Sequence, residues 1–170
     1  SPCAAIFLDA EKAFDRVAWE YLWAVLKFYA AGESFISAVR SLYLHPLATL
    51  GIMGLESQPI SIQRGTRQGC PCSPLLFALY INPFIDLLLC TSSIPPVLIR
   101  GFSTKVLAYA DDIAVVSPDP GAAIQSVEIL AADFGRVSGY KLNPSKTQVL
   151  RNGFCLGHSP WDVQEPVYLG

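Results

Sequence analysis

Adjacent carboxylates are the residues of this chain best suited to chemistry. Asp111 and Asp112 stand between two apolar runs, Val106-Leu-Ala-Tyr-Ala110 and Ile113-Ala-Val-Val116. That pattern predicts a tight β-hairpin with two acids at its tip. Asp serves well in turns because its side chain bonds nearby backbone, so a solvated turn is one reading. A cation site is the other: two like charges framed by apolar strands repel unless a positive charge sits on them, and a divalent metal supplies it. A third acid, Asp9, closes the apolar run Ala4-Ala-Ile-Phe-Leu8, as if a short buried strand delivered a carboxylate at its C-terminal end. Downstream, the basic loop Arg64-Gly-Thr-Arg-Gln-Gly69 leads into Ser73-Pro74 and a long apolar segment. Backbone donors and arginines feeding a helix N-terminus suit an anion such as phosphate, and the glycines serve a turn equally well.

The intervening segments must bring these groups together. After Asp9, residues Ala10 to Val17 and then Trp19, Leu22, Trp23, Leu26 and Ala30 follow helical spacing, with Gly32 as the expected C-cap. Ser34 is placed to cap a second helix that buries Phe35, Ile36, Val39, Leu42 and Tyr43, and His45-Pro46 stops it. Leu50 to Met53 and Pro59 to Ile62 read as a hairpin with Gly54 and Ser57 near its turn. Ser73 as N-cap and Pro74 at the first helical position open the apolar helix, which runs to Leu89. Thr91 to Pro96 is a polar loop. Pro120-Gly121 starts a helix with Ile124, Val127, Leu130, Phe134 and Val137 three or four apart, ended by Gly139. Asn143-Pro144 turns into a strand from Lys146 to Leu150, the stretch from Arg151 to Pro166 is loop-rich, and Tyr168-Leu169 begins another strand. Antiparallel strands with segregated helices predict an α+β fold, helices packed on one face of a sheet.

Composition narrows the function classes. The 170 residues are 52% apolar and 15% charged, enough for one domain with a buried core. A net charge of −2, from 12 basic and 14 acidic residues, announces no strongly basic nucleic-acid binder. Five cysteines without a regular framework read as reduced intracellular thiols, and Cys155 with His158 lacks the partners a zinc site needs. Pro74 to Leu89 contains Asn82, Pro83 and Asp86 and falls short of the roughly 20 residues of a membrane span, so a buried core helix is expected and no membrane partner. No segment reads as a signal peptide.

If Asp9 lies beside the hairpin tip, three carboxylates converge on a sheet edge. Hard oxygen ligands select magnesium or manganese, and two such ions about 3.5 to 4 Å apart can activate a 3′ hydroxyl and stabilise a leaving pyrophosphate. Four segments carry a resemblance that fits this chemistry: Phe7-Leu-Asp-Ala-Glu-Lys-Ala-Phe-Asp-Arg-Val17, Arg64-Gly-Thr-Arg-Gln-Gly-Cys-Pro-Cys-Ser-Pro-Leu-Leu-Phe-Ala-Leu79, Ala108-Tyr-Ala-Asp-Asp-Ile113 and Ser138-Gly-Tyr-Lys-Leu-Asn-Pro-Ser-Lys-Thr147. In order and spacing they resemble successive motifs of the reverse transcriptase palm, and the first two are closer in wording to non-LTR (LINE-type) retrotransposon polymerases than to retroviral ones.

The resemblance implies a ferredoxin-like polymerase palm over residues 1–170, from the first catalytic strand to the start of the primer grip, in a fragment lacking most of the fingers and the thumb. It implies RNA-directed DNA polymerase activity with two Mg2+ ions (Mn2+ possible), an RNA template, a DNA primer and dNTPs. Asp9 and Asp111 would bind both metals, with Asp112 as the third acid. Ala10 would line the substrate site beside Asp9. Phe14 would be an aromatic gate against a ribose 2′ hydroxyl, or a core aromatic, or both. Gln68 and Gly69 would lie along the incoming nucleotide and template, and Tyr109 beneath the primer terminus. Lys146 would neutralise or protonate the departing pyrophosphate; an exposed strand lysine is its plainer reading. Tyr168-Leu169-Gly170 would open the primer-grip hairpin.

This chain departs from the pattern in having Cys72 where the family often has Leu, and Asn82 where LINE-type relatives are commonly acidic. In such enzymes the fingers and thumb carry much of the basic duplex-gripping surface, so the resemblance would account for the low charge. The parent element would be intracellular, nuclear or ribonucleoprotein-associated, and the fragment alone is expected to be inactive. Two alternatives compete: an inactive truncated relic or domesticated module that binds nucleic acid or protein, and a nucleotide cyclase or other palm-type nucleotidyltransferase. The second predicts no Gln-Gly loop before the long helix, and here that loop is present.

Overall fold

The apolar run before Asp9 forms strand β1 (Ala4–Leu8), with Ala4, Ile6 and Leu8 buried and Ala5 and Phe7 turned to the opposite face, the period-two pattern of a strand covered on one side. The structure is a computed structural model that describes residues 3–99 and 101–151. After β1 come a short 3-10 turn (Ala13–Arg16), α1 (Trp19–Phe28) and α2 (Glu33–Leu42). Four two-residue strands follow: β2 (Leu47–Ala48), β3 (Gly51–Ile52), β4 (Leu55–Glu56) and β5 (Ile60–Ser61). Next are α3 (Ser73–Cys90), β6 (Val97–Ile99), β7 (Phe102–Thr104), β8 (Val106–Tyr109), β9 (Asp112–Ser117), α4 (Pro120–Ser138) and β10 (Gln148–Arg151).

The main sheet has the order β10-β1-β9-β8 and is antiparallel throughout, with Ile6 opposite Val115 on one side and Val149 on the other. One face is covered as expected. Helix α4 packs on β1 and β9, α3 on β8, and α1 on both helices. The opposite face leaves Phe7, Leu107 and Leu150 about half exposed. Helix α3 is long and apolar enough to cross a membrane, yet Leu76, Phe77, Tyr80, Ile81, Phe84 and Leu88 are all buried in the core. There Phe84 stacks on Phe134 of α4 at 5.1 Å, and Tyr140 joins the same aromatic cluster.

Several local expectations are corrected. Helix α1 ends at Phe28, before Gly32: Ala30 takes φ 51, its N–H bonds the Lys27 carbonyl, and the Ala31 N–H bonds that of Leu26. That is a Schellman cap closed by alanine, which leaves Gly32 (φ 82) to precede α2, with Ser34 inside the helix and making no cap. Residues Ala10 to Val17 contribute only the 3-10 turn, and Phe35 and Leu42 are partly exposed. In the hairpin, β3 pairs with β4 and β2 with β5. The Met53-Gly54 turn, with both φ positive, folds Leu55-Glu56 directly onto Gly51-Ile52. Cys72, not Ser73, is the N-cap of α3. Strand β10 starts at Gln148, so Lys146 lies in the turn before it. Strands β6 and β7, joined around Gly101 (φ 87), were not legible in the sequence. Cys3, Cys70, Cys72 and Cys90 are free thiols. The segment after Arg151, with Cys155, His158 and Tyr168-Leu169, lies outside the described residues.

Candidate active site

Strand register brings the acids to one end of the sheet. Leu8, the last residue of β1, lies opposite Ile113, and Tyr109 lies opposite Asp112. Asp9, directly after Leu8, therefore emerges beside the Ala110-Asp111 tip of the β8–β9 hairpin. Asp9 is half-buried; Asp111, Asp112 and Tyr109 are exposed. At the tip Ala110 takes φ 52, a left-handed conformation that side chains rarely adopt and that costs on the order of 1–3 kcal/mol.

The backbone of Asp9 is held from the loop that follows α4. Its carbonyl accepts the Asn143 N–H at 2.7 Å, and its own N–H donates to Thr147 Oγ1 at 3.4 Å. Ala10 forms a bridge with Leu142, and the Glu11 N–H donates to the Lys141 carbonyl. Lys141 Nζ also pairs with the Glu11 carboxylate at 2.7 Å, and that hydrogen bond holds the carboxyl below its ordinary range. This pairing carries Lys146 to the same end of the sheet, where its N–H bonds the Asn143 carbonyl and its side chain is exposed.

The 3-10 turn after Asp9 fastens the glycine loop. Phe14 stacks on Phe77 of α3 at 4.2 Å, and its carbonyl accepts the Thr66 N–H at 2.8 Å. The Gly65 N–H donates to the Val17 carbonyl, and Trp19 Nε1 donates to the Gly65 carbonyl, each at 2.8 Å. Gly65 has φ 94, and a β-carbon there would meet the Asp15 carbonyl oxygen at 2.9 Å, so both the conformation and the close approach require glycine. Beyond this anchor Gln68 and Gly69 are exposed, Gly69 with φ 79 and open space around it. A cleft of about 780 Å³ runs beside the loop, lined by Asp15, Trp19, Tyr43, Arg64, Arg67 and Gln68; none of the three acids reaches it. At the start of α3, Ser73 Oγ donates to the Arg67 carbonyl at 2.6 Å. Cys70 accepts backbone hydrogen bonds from Cys72 and Ser73, which lower its thiol pKa.

Two supports escaped the sequence reading. Arg16 Nε donates to the Gly139 carbonyl at 2.9 Å, tying the 3-10 turn to the end of α4. Tyr140 is buried in the aromatic cluster. Burial raises its pKa, and the nearby Tyr80 and the charges of Asp9 and Asp111 add to that.

Among the described residues, no three His, Cys, Asp or Glu side chains are grouped so as to hold a metal ion. Asp9 and the Asp111-Asp112 tip, expected from the sequence to converge on a sheet edge, share one end of the sheet. Carboxylate oxygens are hard ligands, and magnesium characteristically binds one or two of them, completed by water and substrate phosphates rather than by an all-protein cage. The donor set at this sheet end suits such an ion.

Comparison with known proteins places this geometry. The family model described as reverse transcriptase (RNA-dependent DNA polymerase) matches residues 1–170. A transposon TX1 149 kDa protein of Xenopus laevis is 32% identical over 152 residues, 88% of this chain and 11% of that protein. The Pol polyprotein of the R2DM type-2 retrotransposable element of Drosophila melanogaster is 30% identical over 144 residues, 85% of this chain and 13% of the polyprotein. Apo telomerase of Candida tropicalis, truncated from its C-terminal domain, superposes with a TM-score of 0.65 over 92% of this chain and 32% of its own, at 12% identity. Telomerase of Candida albicans gives 0.60 over 91% of this chain and 27% of its own, at 13% identity. At such identities these two likenesses speak to the fold alone. The chain spans between 11% and 25% of the length of the transposon and retrotransposon proteins it matches. With the family model covering every residue and the sequence relatives drawn from non-LTR elements, the chain belongs to the reverse transcriptase (RNA-dependent DNA polymerase) family, as a domain of the LINE type.

Proposed function

We propose that residues 1–170 are the palm of an RNA-directed DNA polymerase of a LINE-type retroelement, adding dNTPs to the 3′ hydroxyl of a DNA primer on an RNA template. The observation that carries this reading is the joint fastening of Asp9: one end of the sheet holds it beside Asp111-Asp112, while the turn that follows it anchors the Gly65-Thr66 loop. Asp9 and Asp111 would hold the divalent ions, two Mg2+ or Mn2+, with Asp112 beside them. When bound, such ions activate a hydroxyl as nucleophile and neutralise charge on a triphosphate and its departing pyrophosphate. Gln68 and Gly69 offer side-chain and backbone donors to the incoming nucleotide and template base. Phe14 limits space at the sugar, Ala10 lines the same floor, and Tyr109 offers an exposed ring beneath the primer end. Lys146, exposed on a turn, would give a proton or a charge to the leaving group.

The remaining length of the retrotransposon relatives is where fingers and thumb would lie, so the 170 residues alone are expected to be inactive. A telomerase of this fold has been determined with a fragment of telomeric RNA, in keeping with an RNA partner here. The parent would work in the nucleus or within a ribonucleoprotein. The test is a longer clone that restores the flanking reading frame, given magnesium, dNTPs and a DNA primer annealed to RNA. Template-directed extension is expected, abolished by a chelator. A clone that folds, binds the primed RNA and adds no nucleotide would favour the non-catalytic alternative.

A further inference from the structure

Strand pairing in the main sheet stops short of Asp9. Strand β1 is paired with β10 as far as Phe7 opposite Gln148, and with β9 as far as Leu8 opposite Ile113. The three residues that follow are held by the loop after α4: the Asp9 carbonyl accepts the Asn143 N–H at 2.7 Å, Ala10 bridges Leu142, and the Glu11 N–H donates to the Lys141 carbonyl at 2.9 Å. Directly after Glu11 the chain swings away, Lys12 taking φ 48 as it opens the 3-10 turn. At this last point before the turn a side-chain ion pair is added, Lys141 Nζ to Glu11 Oε2 at 2.7 Å. Both side chains lie on the face of Asp9. Side chains alternate along extended backbone, so Asp9 and Glu11, on either side of Ala10, point the same way, and cross-strand partners share a face. The opposing segment shows the same alternation in its burial. Tyr140 enters the core, its hydroxyl without a hydrogen-bond partner among the described residues, while Lys141 is exposed and Leu142 packs against the core. An exposed ion pair adds little stability, so the position of this one, two residues from the first acid, is its more informative property.

We propose that Glu11 and Lys141 are positioning residues for the first acid: their ion pair holds the Asp9–Glu11 segment against the Lys141–Asn143 segment and so keeps the Asp9 carboxylate at the end of the sheet beside the Asp111-Asp112 tip. The inference rests on the polymerase reading of that sheet end. Misplacing a reacting group by about 1 Å costs on the order of 100-fold in rate, and with the backbone bonds of Asp9 and Glu11 still in place, loss of the pair is expected to cost less, about tenfold.

The test is single-nucleotide addition by the longer clone that restores the flanking reading frame, with kcat and the KM for dNTP measured separately and the melting temperature alongside. Glu11→Gln and Lys141→Met are each expected to lower kcat about tenfold, with the KM within about twofold and the melting temperature within about 2 °C of the parent. The reversed pair, Glu11→Lys with Lys141→Glu, is expected to bring kcat back to within about threefold of the parent, because the pairing rather than either charge does the positioning. Single variants that keep the parent kcat would overturn the proposal, and so would a reversed pair no faster than the singles. A raised KM in Lys141→Met with Glu11→Gln unaffected would also overturn it, since Lys141 would then touch substrate directly. Asp111→Ala separates the pair from the reading beneath it. A parent clone that adds no nucleotide, or one whose rate ignores Asp111→Ala, overturns both; a clone silenced by Asp111→Ala and indifferent to Glu11→Gln and Lys141→Met overturns the role of the pair alone.

Discussion

Phe14 has a packing role and a proposed role at the sugar, which a single substitution can pull apart. Its ring stacks on Phe77 and its backbone carbonyl anchors the Gln68-Gly69 loop, so it is a packing residue wherever else it acts. Phe14→Ala is expected to cost about 2 kcal/mol of stability, less than a full core truncation because the residue is only partly buried, read from chemical denaturation of the 170-residue chain. In a longer active clone the same change is expected to raise ribonucleotide incorporation relative to deoxyribonucleotide. An unchanged sugar preference would leave Phe14 as core alone. The acids were legible at this scale because carboxylates in apolar runs have few inexpensive explanations. Tyr140 was not: a lone tyrosine in a sequence gives no sign that its hydroxyl will be buried without a partner. Arg16 reaching the Gly139 carbonyl across the fold was equally invisible.

The long helices and the acidic hairpin followed from local signals. Helix α4 starts and stops where Pro120 and Gly139 place it, and Asp119 supplies a cap the sequence reading passed over, its Oδ1 accepting the Ala122 N–H at 3.1 Å. Asp119→Ala is expected to cost about 1 kcal/mol, seen as a lower denaturant midpoint with an unchanged slope. Because α4 packs on β1 and β9, that loss belongs to the whole domain rather than to one frayed end. The errors arose where a residue acted against its type. Ala30 closes α1 in a left-handed conformation usually left to glycine, so a reading that waited for Gly32 ran past the helix end. Lys105 ties the end of α3 to the start of β8 by donating to the Leu89 and Thr91 carbonyls. That link spans the hairpin β6–β7, which periodicity alone did not reveal.

At the scale of the molecule, one sheet end gathers what the sequence keeps far apart: Asp9 from the first strand, Asp111-Asp112 from a hairpin late in the chain, and Lys146 from the turn before the last described strand. The other large feature is the β2–β5 hairpin, whose Leu50, Ile52, Met53 and Leu55 are each more than half exposed. The family and the α+β layering were legible because four motifs and the hydrophobic periods survive in one sequence. The grouping of the acids depends on strand register across the sheet, which a single sequence does not state. Single-nucleotide incorporation by a longer clone carrying Asp111→Ala tests the assignment of that sheet end. The rate is expected to fall by about a thousandfold or more, since the carboxylate would hold ions that stabilise the transition state by several kcal/mol, while primer-template binding and the melting temperature change little. A rate within tenfold of the unsubstituted clone would contradict the placement of catalysis at Asp111.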